Sequence, residues 1–381
     1  MGKYGKKNEI QLDPLRFNIA LLGEAGVGKT TLIKQVCEKL VGDDGYMFFD
    51  IGFESGSDAI SGIVAEKIED WAKFVEVTDD IIENKESEYP DLRVVVIDTY
   101  DELCRLADAE TIRLHNKKNP DKKVESVNAA FGGYGRGMDK SIEIMLERLF
   151  ELKKVGVSFI VIAHTKKKDI DDIVTEDQYS ILTAGVSQKY FNAIKSKLHV
   201  LGLAYIDRDV VKERTGKKSP ATGKEIVRGK IAGESRMVSF RDDTYTIDSK
   251  SRFANIIDKI SLDADEFIKA INDAILAEHA KSGVSVQETE KKQSAEAKAK
   301  KDEAAKYSGS RKNNKVDPER NEELMSIIKE KLAHCSAETK EAVKSIMKSI
   351  GSKFDKDSVP TALLEEAVDL IVADTDALPF N

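Results

Sequence analysis

The segment Gly23-Glu24-Ala25-Gly26-Val27-Gly28-Lys29-Thr30 constrains this chain more than any other. The apolar run Phe17 to Leu22 precedes it. Behind it, Leu32, Ile33, Val36 and Leu40 recur at helical spacing within Thr30 to Leu40. A strand, a glycine-rich turn carrying Lys-Thr and a helix, in that order, form a cradle for phosphate. Glycines let the backbone curl until successive N–H groups converge on an anion, and the helix adds its positive amino end. Lys29 supplies a charge for the β- and γ-phosphates, and the Thr30 hydroxyl a ligand for Mg²⁺. The residues expected to hold ATP are therefore Gly23, Glu24, Ala25, Gly26, Val27, Gly28, Lys29, Thr30 and Thr31.

The surrounding pattern predicts an α/β core. Tyr46 to Ile51 and Arg93 to Asp98 read as buried strands, and so does Val157 to His164. Ala59 to Phe74 reads as a helix through Ile60, Ile63, Val64, Ile68 and Trp71, and Met138 to Lys154 as an amphipathic helix. Continuous apolar strands alternating with helices imply a mostly parallel sheet covered on both faces. Two polar stretches, Leu106 to Gly137 and Lys166 to Ser187, read as long functional loops, the first ending in a glycine-rich run. Lys197 to Asp207 reads as a strand. Val210 to Val227 reads as a hairpin with its tip at Gly216 to Gly223, Met237 to Phe240 as a last strand, and Phe253 to His279 as mostly helical.

Gln287 to Arg320 is nearly free of large apolar residues and reads as a solvated linker, part helix and part coil. Apolar periodicity then returns at Leu324, Ile328, Val343, Ile346, Leu364 and Val368, enough for a small bundle of three helices. The expected division is a tail at 1–14, a core at 15–255, a closing helix of the core at 256–285, a charged linker at 286–320, a small helical domain at 321–373 and an acidic tail at 374–381.

Charge and cysteine content narrow the function. Sixty Lys+Arg against 68 Asp+Glu give a net charge of −8, which argues against coating nucleic acid with the whole surface but leaves room for a local basic groove. Cys37, Cys104 and Cys335 are too far apart for a metal-spaced pair and odd in number, which points to a reducing cytoplasm. No apolar stretch approaches the ~20 residues of a membrane span. The start lacks the apolar run of a signal peptide, and Lys6 stands where myristoylation wants Ser or Thr. A cytoplasmic protein without a membrane partner is expected.

Asp98 ends its apolar strand where a carboxylate holds Mg²⁺ opposite Thr30. Hydrolysis also needs an acid beside the attacking water. Glu54, after the second strand, is preferred, with Asp101 or Glu102 as alternatives that would otherwise cap a helix. His164 ends the fourth strand, at the sheet edge where ligands bind, and is placed to sense the γ-phosphate; with Glu54 and Lys29 it completes the catalytic set.

These residues carry a resemblance. From Ile19 to about Phe253 the chain resembles bacteriophage RecA-like P-loop ATPases, which include single-strand annealing recombinases. It does so through GEAGVGKTT, Glu54, VVVIDTYDEL, ERLFELKKVGVSFIVIAHTKKK and Ser251-Arg252-Phe253. The resemblance implies a RecA-like core, ATP with Mg²⁺, a homo-oligomer, and single-stranded DNA as partner in recombination or replication within the host bacterial cytoplasm. It places DNA contacts in the two long stretches: Lys117, Lys118, Lys122, Lys123, Tyr134 and Arg136 in the first, and Lys166, Lys167 and Lys168 in the second. Lysines meet phosphates and an exposed ring stacks on a base. It further implies a cation acting on a neighbour's nucleotide, for which Lys212 and Arg214 are candidates. Asp374, Asp376, Leu378, Pro379 and Phe380 resemble the acidic tip of bacterial single-stranded-DNA-binding proteins. The terminal helices would dock such a protein or another replication or recombination partner. Two other functions remain open: a nucleotide-switched annealing module without required turnover, and a helicase-loader-like ATPase acting on protein partners.

Overall fold

Ile19–Gly23, buried along its whole length, forms β1, and the computed structural model sets it between two parallel neighbours. The structure describes residues 9–52, 56–171, 178–218, 225–241, 250–349 and 355–376. After β1 come α1 (Lys29–Val41), β2 (Tyr46–Ile51), β3 (Ala65–Ile68), α2 (Trp71–Glu83), β4 (Val94–Asp98), α3 (Tyr100–Lys118) and α4 (Arg136–Lys154). Then follow β5 (Ser158–Asp171), β6 (Gln178–Ala184), α5 (Gln188–Lys195), β7 (Val200–Lys218), β8 (Glu225–Ser239), β9 (Lys250–Ser251), β10 (Lys259–Ser261) and α6 (Ala264–Ala280). The chain continues into α7 (Val286–Asn314), α8 (Pro318–Lys331), α9 (Ala337–Ser349) and α10 (Thr361–Asp376). The sheet order is β10-β8-β7-β1-β5-β4-β2-β3, parallel from β7 to β3, which is the mostly parallel, helix-flanked α/β core expected.

Side chains alternate along each strand, so every central strand feeds both faces. Ala20, Leu22, Val95, Ile97, Phe159 and Val161 face α2, α3, α4 and α5, meeting Phe74, Leu103, Met145 and Leu149. Ile19, Leu21, Val94, Val96, Ile160 and Ile162 face α1 and α6, meeting Leu32, Ile33, Val36, Phe267 and Ile271. At about 1.5–3 kcal/mol per buried aliphatic or aromatic side chain, these two layers dominate the stability of the core.

Several expectations give way to tertiary context. The helix expected over Ala59 to Phe74 is a turn at Gly56–Ala59, the edge strand β3 and then α2. Gly62, at φ +70°, interrupts any helix there, and Asp70 caps α2 by accepting the Lys73 N–H at 2.8 Å. The expected loop over Leu106 to Gly137 shrinks, because α3 runs on to Lys118 and α4 begins at Arg136 behind Gly135. The expected loop over Lys166 to Ser187 is largely a hairpin: β5 continues to Asp171 and β6 pairs back along it, from Thr165 against Ala184 to Asp171 against Gln178. Neighbouring strands supply hydrogen bonds that let polar residues remain extended, which local pattern does not reveal. β7 and β8 form the expected hairpin but a longer one, paired from Leu203 against Ser239 to Lys218 against Glu225. Phe253 to His279 contains β10 before α6 begins behind its cap, Asp263.

The expected linker differs most. Residues 286–314 are one helix, α7, docked on the core. Its Ala, Glu and Lys content is that of a strong helix former. A few anchors hold it: Ala304 and Tyr307 against the core, and Arg311 donating to Asp79 Oδ1 at 2.5 Å and Glu151 Oε1 at 2.6 Å. Gln293 accepts the Leu12 N–H at 3.0 Å and donates to Ile10 O at 2.7 Å. Beyond it, α8, α9 and α10 gather around a separate cluster of Leu324, Ile328, Val343, Leu364 and Ile371. Among the described residues no helix is long and apolar enough to cross a membrane.

Cys37, Cys104 and Cys335 are free and buried. Burial pushes the Cys37 thiol up to about 12 and raises the other two. Below those values the thiol keeps its proton and is a poor nucleophile. A thiol-selective reagent at pH 8 should therefore leave all three unlabelled until denaturant is added, and rapid native labelling would contradict their burial.

Candidate functional site

The carboxyl ends of β1, β4 and β5 meet around one cavity of about 410 Å³. Ala25, Gly26, Gly28, Lys29, Thr30 and Thr31 line it from the glycine-rich turn. Asp50, Gly56, Ile60, Asp98, Thr99, His164 and Arg236 line it from other elements. Sheet register explains the convergence. Gly23 pairs with His164 on one side and Ala204 on the other, while Asp98 pairs with Asp50 and Ile162. β5 lies between β1 and β4, so the cradle and Asp98 reach the same edge from strands that are not neighbours.

The turn must be built of glycine. Gly28 has φ +107°, and a β-carbon there would stand 3.2 Å from Leu262 Cδ2. A β-carbon on Gly23 would stand 2.6 Å from Ala204 O. Lys29 is buried, its ammonium donating to Gly23 O and Glu24 O at 2.9 Å each. A phosphate entering the cradle would compete with those carbonyls for the ammonium. Thr30 Oγ1 donates to Asp98 Oδ2 at 2.8 Å, joining helix α1 to β4. One hydroxyl and one carboxylate are the hard oxygen donors that suit Mg²⁺, whose remaining positions go to water and phosphate. Among the described residues the buried Thr99 hydroxyl, beside Asp98, has no hydrogen-bond partner, and Thr99 is one of the residues lining the same cavity.

His164 enters the cavity, as expected, but is held by Asp101. The Asp101 carboxylate accepts the His164 main-chain N–H at 2.9 Å and lies 3.8 Å from ring Nδ1. This gives Asp101 a positioning task instead of contact with the cavity, and Glu102 pairs with Arg105 at 2.5 Å. Behind them, burial raises the Tyr100 pKa, so its hydroxyl stays protonated and donates to Tyr190 O at 3.0 Å. Glu54 lies outside the described residues. The acid in the cavity that sequence reading passed over is Asp50, buried and accepting the Ser57 hydroxyl. Its signal was present: it is the lone acid in the apolar strand Tyr46–Ile51. Arg236 had no such signal, since nothing in the alternation of β8 tells which arginine returns to the cradle.

The residues singled out for DNA share an edge with this cavity. Helices α3 and α4 are antiparallel, with Cys104 against Met145 and Ser141 Oγ donating to Asp108 Oδ1 at 2.7 Å. α4 runs toward the amino end of β5, so α3 runs the other way, and the turn joining them lies on the nucleotide side. His115 builds that turn. Its Nδ1 accepts the Phe131 N–H at 3.0 Å, which leaves Nε2–H to donate to Lys122 O at 3.2 Å. Lys117, Lys118, Lys122, Lys123 and Arg136 are exposed there. Tyr134 is fully exposed at φ +50° between two glycines, an unusual conformation for a ring-bearing residue. Lys166, Lys167 and Lys168 are exposed on the β5–β6 arm beyond His164. Lys166 is committed to the root of that arm, donating to Gly185 O and Val186 O at 3.0 and 3.1 Å, and Lys167 lies 3.8 Å from Asp169. Lys212 and Arg214 belong to β7 and pair with Gly229 and Val227; the hairpin tip at 219–224 and residues 377–381 lie outside the described residues. Of the acidic tail expected at 374–381, Asp374 and Asp376 belong to the last turn of α10, and the Asp374 carboxylate accepts the Ser336 N–H at 2.7 Å.

A family model described as an AAA domain matches residues 16–253. No curated protein matches the chain. Among solved structures, the crystal structure of flagellar accessory protein FlaH from Methanocaldococcus jannaschii is similar over 58% of this chain and 84% of that one, with 9% identity and a TM-score of 0.27.

Proposed function

The chain belongs to the AAA domain family, whose members bind nucleotide through such a cradle, and from that premise we propose that it hydrolyses ATP and couples the cycle to single-stranded DNA. ATP would lie along Gly23 to Thr31, its phosphates on the turn's N–H groups and Lys29. Thr30 and Asp98 would hold Mg²⁺, which neutralises charge on the phosphates. Asp50, or Glu54 as first expected, would orient the attacking water. His164, held by Asp101, would report phosphate occupancy to the β5–β6 arm that begins at the next residue. Lys212 or Arg214 would serve a neighbouring copy's nucleotide in an oligomer. As the resemblance implies, the setting would be phage recombination by strand annealing, or replication, with a further partner docked on the terminal helices.

One observation carries this reading: in a chain of net charge −8, exposed lysines and a fully exposed tyrosine gather on projections beside the nucleotide cavity. A polyanion spanning those projections would feel the nucleotide state through the strands and helices that continue into the cavity.

ATP turnover should rise when single-stranded DNA is added, and binding should weaken steeply with salt. Alanine at Lys117, Lys118, Lys122 and Lys123 together should flatten the salt slope, each phosphate contact contributing about −0.7 for a single strand. Tyr134→Ala should cost about 1–3 kcal/mol of affinity with the slope unchanged, because stacking is not ionic. Turnover indifferent to DNA, with no binding at low salt, would remove DNA from this proposal. Annealing that persists in Lys29→Ala would restrict nucleotide to a switch.

A further inference from the structure

Arg236 reaches the nucleotide cavity from β8, on the far side of the β7–β8 hairpin from the glycine-rich turn. Its backbone is held from two sides. It pairs with Ile206 of β7, and its carbonyl accepts the Leu262 N–H at 2.9 Å. Its guanidinium stands over the cradle, with Nη1 3.6 Å from where a β-carbon on Gly28 would be. Among the described residues no hydrogen bond or ion pair engages that guanidinium. The carboxylates of the cavity have other partners, Ser57 for Asp50 and Thr30 for Asp98. Two cations, Lys29 and Arg236, thus face one cavity lined by glycine N–H groups. Like charges so placed are stable together when an anion joins them, and a guanidinium fork matches phosphate oxygens in pairs.

We infer that Arg236 is a second phosphate-binding cation of this pocket, supplied in cis by the β7–β8 hairpin, so that phosphate occupancy fixes the root of the hairpin. The inference rests on the reading of the cavity as a nucleoside triphosphate site. With phosphate bound, Arg236 is tied to the cradle and the paired strands beyond it lose freedom. Without it, the root of the hairpin is held only by its strand pairing and by the packing of residues such as Val238 and Ile206.

The test is displacement of a fluorescent ATP analogue from the full chain by ATP and by tripolyphosphate, for the wild type, Arg236→Ala, Arg236→Lys and Lys29→Ala. For Arg236→Ala, affinities for ATP and tripolyphosphate should fall by the same factor, roughly 10- to 100-fold, the worth of one hydrogen bond to a charged group. Arg236→Lys should recover part of the loss. Nucleotide should slow amide exchange across residues 229–239 in the wild type and not in Arg236→Ala, a difference that a merely structural arginine would not produce. Unchanged affinities would overturn the inference, and so would a loss confined to ATP, which would assign Arg236 to the base or ribose. Mixing Arg236→Ala with Lys29→Ala should restore no turnover, and recovery would mean that the arginine serves a neighbour. If Lys29→Ala binds as the wild type does, the triphosphate site itself is wrong. If Lys29→Ala loses binding while Arg236→Ala does not, only the role of Arg236 falls.

Discussion

Lys29→Ala should abolish useful nucleotide affinity while leaving the chain folded. Lys29 is 6% exposed and its ammonium donates to Gly23 O and Glu24 O, so it is already held against the cradle. Each hydrogen bond to a charged partner is worth about 1.5–3 kcal/mol, and losing two to phosphate corresponds to roughly a hundred- to ten-thousand-fold in Kd. Thermal unfolding separates binding from folding. At a magnesium-nucleotide concentration about a hundred times Kd, linkage stabilises the wild type by about 2.7 kcal/mol. The variant should melt near the ligand-free wild type and show no shift at that concentration. An equal shift in both proteins would mean that the cradle does not hold the phosphates.

The second large effect is on the sheet. Phe159 on β5 is fully buried, packs edge-to-face on Phe150 with ring centroids 5.7 Å apart, and has the Lys153 ammonium 5.6 Å from its ring centroid. Its strand lies between β1 and β4 and carries His164 at its nucleotide end. Phe159→Ala leaves a cavity and should cost about 3–5 kcal/mol, a large share of the 5–15 typical of a whole domain. Urea unfolding followed by amide exchange should show β1, β4 and β5 opening earlier. Exchange in α8, α9 and α10 should be unchanged, because their cluster shares no residue with the two beneath the sheet. Phe159→Leu should recover most of the loss. A core that opens within about 0.5 kcal/mol of the wild type would show that this position is not packed as described.

Much of the site could be read along the chain because its chemistry is local. Gly23 to Thr30 carries its own turn, charge and helix start in consecutive residues, and Asp98 and His164 each close an apolar run that can only be a buried strand. The layers were legible for the same reason, since continuous apolar runs in the strands and 3.6-residue spacing in the helices are properties of short windows. Local pattern erred where polar residues take their structure from distant partners. Thr165 to Asp171 is extended because β6 pairs with it, and α7 is docked because Arg311 finds Asp79 and Glu151 more than a hundred residues away.

Sequence alone therefore settled that a phosphate cradle sits on a covered parallel sheet, since backbone curvature, charge and apolar periodicity are written in neighbouring residues. Folding in three dimensions decided which side chains surround that cradle. Asp50, Thr99 and Arg236 arrive there through strand order and register, and those depend on the summed packing of both sheet faces, which no short stretch of residues encodes.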